Sequence, residues 1–133
     1  MSGKREVIVS PTWKPFFDQT AIPSAVRIGN QLLVSGHTGE DPDGRFPPGS
    51  EAQVRGTFRN LAETLALAGA GWPNVTSITS YHVGLRGQQD VVLRVAGEFL
   101  EPPFPAWTAV GVTELWPPGA VIEISCIGAL DAM

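Results

Sequence analysis

The sequence predicts an α+β or α/β sandwich, with two helices on one face of a mixed sheet, and three observations carry that expectation. Periodic segments follow the order strand, strand, strand, helix, strand, helix, strand, strand. The strand segments are rich in β-branched residues, whereas Val54, Phe58, Leu61, Leu65 and Ala68 recur at helical spacing. The 15 Gly and 12 Pro, about a fifth of the 133 residues, cluster between those segments at Pro42 to Pro48, Pro102 to Pro105 and Pro117-Pro118. That distribution belongs to fixed turns rather than to low complexity, and a chain of this length builds one domain, residues 1–133, around one core.

Glu6 to Ser10, with Val7 and Val9 on one side, reads as a short strand, and Pro11 to Ile22 as irregular. Ala25 to Ile28 and Gln31 to Ser35 flank Gly29-Asn30, a pair suited to a two-residue hairpin turn. Gly36 to Gly49 has the Gly, Asp and Pro content of a loop. Ser50-Glu51-Ala52-Gln53 matches a capping box and starts the first helix, which Gly69, Gly71 and Pro73 end. Val75 to Val83 reads as a strand, Arg86 to Asp90 breaks it, and Asp90 to Leu100 carries Val92, Val95 and Phe99 on a second helical face before Pro102-Pro103. Trp107 to Thr113 and Ala120 to Ala129 are the closing strands. In the last one Ile122, Ile124 and Cys126 share one face and Val121, Glu123, Ser125 and Ile127 the other. No helix remains to shield that second face, so a further subunit is expected to cover it.

With 9 basic and 13 acidic side chains the net charge is −4, and no basic cluster occurs. Nucleic acid is therefore not an expected partner, since phosphate-backbone binding needs clustered Lys and Arg. No apolar run reaches the roughly 20 residues that span a bilayer, and no signal-peptide segment follows the charged start, so the expectation is a soluble, cytoplasmic protein with no membrane partner. One cysteine and two histidines without ligand spacing imply no metal. Neither GxSxG, GxxxxGK nor GxGxxG occurs, and no cofactor is expected.

Four side chains are candidates for chemistry on residue type and place. His37 follows Ser35-Gly36 at a strand end, where a small residue lets a ligand approach the backbone; a surface loop histidine is the alternative. His82, inside a strand, reads as a half-buried structural residue. Glu123 lies between isoleucines, where a carboxylate is costly unless it is paired, solvated in a cleft or used, and use is the favoured reading. Cys126 shares the face of Ile122 and Ile124 and reads as a buried, inert thiol.

Several runs together resemble the RidA/YjgF family. They are Val26-Arg27-Ile28-Gly29-Asn30-Gln31-Leu32-Leu33-Val34-Ser35-Gly36, the helix with Gln53-Val54-Arg55 and Asn60-Leu61, Pro103-Phe104-Pro105-Ala106-Trp107-Thr108-Ala109-Val110, and Val121-Ile122-Glu123-Ile124. The resemblance implies a chorismate-mutase-like fold assembled as a homotrimer around a central barrel, with small-molecule clefts between subunits. It also implies deaminase-like hydrolysis of enamines and imines to ketoacids and ammonia. In that family an arginine on the penultimate strand holds the substrate carboxylate as a fork, and a glutamate on the last strand orients water. Carried over by position, the glutamate is Glu123, the backbone donor is Ala109, the Ser-Gly turn is Ser35-Gly36, and the arginine position holds Trp107. Ile22 or a neighbour stands where the family has a tyrosine. The Trp107 phrase resembles the arginine-lacking, YjgH-like branch. A neutral indole offers no charged fork, so two readings stand. One is a hydrolase in which Glu123 and His37 handle a water or proton in a cleft with Ser35, Gly36, Trp107 and Ala109, acting on a flatter, less anionic ligand. The other is a non-catalytic binding or interaction trimer. The endoribonuclease label carried by some relatives is disfavoured by the charge of −4.

Overall fold

The computed structural model describes residues 4–130. Six strands form one mixed sheet: β1 (Glu6–Ile8), β2 (Ala25–Ile28), β3 (Gln31–His37), β4 (Val75–His82), β5 (Ala106–Gly111) and β6 (Ile122–Ala129). Their order across the sheet is β1-β2-β3-β6-β4-β5, with β4 and β5 parallel and the other neighbours antiparallel. The hairpin forms where its turn residues stand, Gly29 taking φ +61°. Three helices accompany the sheet, α1 (Lys14–Thr20), α2 (Ser50–Leu67) and α3 (Gln89–Phe99). Among the described residues no helix is long and apolar enough to cross a membrane.

The core lies between the sheet and the helix pair α2 and α3. Val54, Phe58, Leu61 and Leu65 of α2 and Val95 of α3 are fully buried against Leu32, Ile78, Ile122 and Ile124. Phe58 stacks on Phe99 at 5.4 Å and fixes the two helices against each other. Neither α2 nor α3 covers the opposite sheet face. Across it Val7 pairs with Val26, Val26 with Leu33 and Leu33 with Ile127, a cross-strand row in which Val7, Leu33 and Ile127 stay exposed. The alternation expected of the last strand is present, with Ile122, Ile124 and Cys126 inward and Glu123 and Ser125 half-buried on the other side.

Two local expectations are corrected. Residues Pro11 to Ile22 are not irregular: Lys14–Thr20 form α1, which buries no residue and therefore shows no apolar period. The helix at Ser50 does begin there, but its N-cap is Gly49 and no side chain caps it. Gln53 does not reach back to the cap. It is buried, its amide donates to the Gly119 carbonyl at 2.9 Å, and its Oε1 accepts the Val121 N–H at 2.9 Å. The residue that looked like half of a capping box instead ties α2 to the entry of β6.

One irregularity positions the functional region. Val34 pairs with Cys126 and His37 with Ile124, so three steps along β3 match two along β6. This bulge keeps both Val34 and His37 on the helix side, where strict alternation would send His37 to the open face.

The Gln53 assignment has a direct test in urea denaturation. Gln53→Ala strands a buried donor and acceptor and is expected to cost about 2 kcal/mol or more. Ser50→Ala, which removes no cap, should stay within about 0.5 kcal/mol of wild type. A larger loss from Ser50→Ala than from Gln53→Ala would restore the capping box.

Candidate functional site

At the end of β3 the sheet, α1 and the Thr38–Glu40 segment enclose a cleft of about 310 Å³. Its floor is Ser35, Gly36 and Glu123. The bulge brings the Gly36 backbone so near β6 that a Cβ built on Gly36 would collide with the Glu123 carboxylate, which occupies the space of the missing side chain. Glycine at position 36 thus seats Glu123. Ser35 turns its hydroxyl away, donating to the Pro23 carbonyl at 2.8 Å, so what it offers the cleft is backbone.

The second wall comes from α2. Gly39 and Gly56 pass so closely that a Cβ on Gly56 would lie 2.6 Å from the Gly39 carbonyl oxygen, which clamps the segment carrying Glu40 onto the helix. One turn further on, Asn60 Nδ2 donates to the carbonyls of Thr38 and Glu40, each at 2.9 Å. The Glu40 carboxylate accepts the Thr38 hydroxyl at 3.0 Å. Burial, and then the Glu40 charge, hold the Glu123 carboxyl above its ordinary pKa. The cleft therefore contains two carboxylates, and no Lys or Arg of the described residues lines it.

The third wall is aromatic. His37, Trp13, Phe16 and Trp116 run ring to ring at 4.6, 5.2 and 5.3 Å. Trp13 precedes α1 and donates its indole N–H to the Ile22 carbonyl at 2.8 Å; a left-handed Ala21 (φ +65°) turns the chain to make this possible. Trp116 is 68% exposed and overhangs the mouth.

His37 is not a surface loop residue. It is 2% exposed, in β3, and both ring nitrogens are engaged. Nδ1–H donates to the Ser35 carbonyl at 2.7 Å, so Nε2 is the acceptor for the Thr64 hydroxyl at 2.8 Å. Burial lowers its pKa to about 4, outweighing the Ser35 carbonyl and the Glu63 charge, both of which favour the cation. The ring is neutral at pH 7 and has no free nitrogen to offer a ligand.

Trp107 and Ala109 are elsewhere. Trp107 aligns with the buried Ile78 in the parallel β4–β5 pair, and Ala109 with the buried Ser80, on the helix side of the sheet. Glu123 pairs with Tyr81 and lies on the open side. The indole packs on Phe104 and Phe58 at 6.1 and 6.5 Å, and its N–H donates to Ser80 Oγ at 2.9 Å. Within one chain, then, Ser35, Gly36, His37 and Glu123 meet, whereas Trp107 and Ala109 do not join them. His82 is fully buried: Nδ1–H donates to Gln88 Oε1 at 2.9 Å and Nε2 accepts from Ser80 Oγ at 2.7 Å. Cys126 is buried, and its thiol is pushed up to about 12 by that burial. Arg27 donates to the nearby Gly29 carbonyl, and neither it nor Arg86 lines the cleft.

Comparison with known proteins agrees with this architecture. Residues 20–130 match the family described as endoribonuclease L-PSP. The RutC family protein YjgH of Escherichia coli K12 is 41% identical over 108 residues, covering 80% of this chain and 81% of that protein. The chain belongs to the RidA/YjgF family. A solved structure of protein YjgH superposes with a TM-score of 0.86 at 35% identity, over 97% of this chain and 98% of the other. The structure of RidA from the Antarctic bacterium Psychrobacter sp. gives a TM-score of 0.77 at 31% identity, over 82% and 88%. Residue type and strand position already marked Glu123 and the Ser35-Gly36 strand end, and the family resemblance named the same residues. It did not point to Glu40, Trp13 and Trp116, for which only proximity in the fold provides a signal.

The state of His37 sets a pH dependence. The folded ring resists protonation down to about pH 4 while the unfolded ring takes a proton near 6.5, so acid favours the unfolded chain. Stability should fall between pH 6.5 and 4 by about 3 kcal/mol on this account. In urea titrations across that window, His37→Gln should show a shallower loss than wild type. Equal slopes would mean that the ring is not held neutral.

Proposed function

We propose that this RidA/YjgF protein binds a small metabolite in the cleft over Gly36 and hydrolyses a carbon–nitrogen double bond there, with Glu123 as the catalytic residue. The observation that carries the reading is the Glu123 carboxylate, seated on Gly36 at the floor of the cleft without a cation beside it. A carboxylate with a raised pKa can hold a proton in one step and release it in the next near neutral pH. In the proposed reaction water adds to the imine carbon while Glu123 takes its proton. Glu123 returns that proton to the nitrogen to give the carbinolamine, then relays the carbinolamine's hydroxyl proton to the same nitrogen, so that the carbon–nitrogen bond breaks, ammonia leaves and the carbonyl forms. His37 does not take part in proton transfer: its hydrogen bond to Ser35 holds the bulge that places Gly36, which makes it a positioning residue.

The exposed row Val7, Leu33 and Ile127 on the face that α2 and α3 leave uncovered supports assembly as a homotrimer. Trp107 and Ala109, on the far side of the sheet from Glu123 in the same chain, would enter a shared site only across such an interface. Trp107 spends its N–H on Ser80, so it could contribute a face but no polar contact. A carboxylate-bearing imine is accordingly a poor substrate, which separates this protein from arginine-bearing members of the family.

Ammonia release from freshly generated imines, with and without a carboxylate, tests the assignment. Glu123→Gln is expected to lower kcat by about 10²–10⁴-fold with little change in KM, the range for loss of a general acid–base group. Unaltered turnover in Glu123→Gln would remove Glu123 from the mechanism. Ligand binding without turnover across imines, enamines and esters would leave a binding protein instead.

A further inference from the structure

We infer that the cleft over Gly36 selects a flat, single-ring ligand bearing one positive charge and no carboxylate, with Glu40 as the specificity-determining residue. This deepens the reading above and rests on the same cleft being the ligand site.

Charge is the first ground. Glu40 and Glu123 both line the cleft, and the hydrogen bonds reaching Glu40 come from the neutral Thr38 and Asn60. The ring of His37, the remaining candidate for a cation in the wall, is neutral and committed to Ser35 and Thr64. Two carboxylates facing one half-enclosed space repel each other, and the raised pKa of Glu123 reflects burial first and then that repulsion. A cationic group placed between them removes the repulsion, whereas an anion adds to it.

Shape is the second and independent ground. Trp13, Phe16 and Trp116 form a continuous aromatic wall, and the volume of about 310 Å³ suits a ligand of one ring with a short polar head. Aromatic faces attract cations as well as rings, so the wall and the carboxylates favour the same ligand. Trp116 is 68% exposed and meets Phe16 in a T-shaped contact, so most of its ring is open to a bound ligand. Asn60 fixes Glu40 through two backbone carbonyls and one carboxylate oxygen, so this carboxylate is preorganised rather than drawn in by the ligand.

Three probes of nearly equal size isolate the charge: benzamidinium, benzamide and benzoate, titrated into the full chain by calorimetry and tryptophan fluorescence at low salt. Benzamidinium should bind about tenfold or more tightly than benzamide, with benzoate weakest, and the preference should shrink as salt is added. Glu40→Gln should cut the benzamidinium-to-benzamide ratio about tenfold while leaving benzamide affinity in place. Glu123→Gln should lower the same ratio and serves as the second variant if Glu40→Gln fails to fold by circular dichroism. Benzoate binding as tightly as benzamidinium, no saturable benzamidinium binding in the millimolar range, or a ratio unchanged in a folded variant overturns the inference. Cation preference without hydrolysis of any imine would sink the proposed reaction and leave this inference standing. Turnover of uncharged imines without cation preference would do the reverse.

Discussion

The extra residue between Val34 and His37 in β3 is the constraint on which the rest of the site depends. Without it, period-two alternation would turn His37 to the open face and break its bonds to Ser35 and Thr64. With it, Gly36 comes up against β6, and Glu123 settles where a side chain would have been. A single register shift therefore buries one titratable group in a neutral form and leaves another half-buried with a raised pKa. The chemistry of the cleft follows from backbone geometry before any ligand is considered.

Helix α2 transmits that geometry to the second carboxylate. Its inward face holds Phe58, Leu61 and Leu65 in the core, while residues one turn apart on its flank, Asn60 and Thr64, hold Glu40 and His37. Gln53 performs the same service at the start of the helix, binding the entry to β6. Gln53, Asn60 and Thr64 are thus not part of the solvated face of α2, where Glu51 and Arg59 stand. They are cross-links that set three chain segments at fixed distances from one apolar stripe, and a well-packed stripe is what lets them act with precision.

This explains which parts were legible in the sequence. Apolar periodicity reports burial against a layer, so α2, α3, the hairpin and the faces of β6 could be read from it. Polar side chains carry no such record of their partners. Gln53 three residues after Ser50 matches a local cap, yet its partners lie 66 and 68 residues away. Helix α1 buries nothing and so leaves no period, although the Trp13 before it builds a wall of the cleft. Glu40 sat in a segment read as a plain Gly- and Pro-rich loop, and only its clamp between Gly39, Gly56 and Asn60 gives it a place. For Trp107, the direction of the side chain depends on the face of an edge strand, which β5, exposed at most of its residues, does not declare by alternation.

Trp107 also shows why an indole is consistent with this interior where a guanidinium would not be. Its ring fills space beside Phe58 and Phe104, and its single donor completes a chain running from Trp107 through Ser80 and His82 to Gln88, which in turn donates to the carbonyls of Val83 and Val121. Each donor in that chain has one acceptor, and the direction of every hydrogen bond follows from the fixed ends. An arginine in the same pose would bring a charge and five donors to a place with one hydroxyl acceptor and aromatic walls, a costly burial without a carboxylate partner. Glu40 and Glu123 line a cleft that Trp107 of the same chain does not reach. Within one chain, the acidic cleft and the indole are therefore two separate solutions: one leaves negative charge unneutralised where a ligand can reach it, and the other removes charge from a core that has no counter-ion to offer.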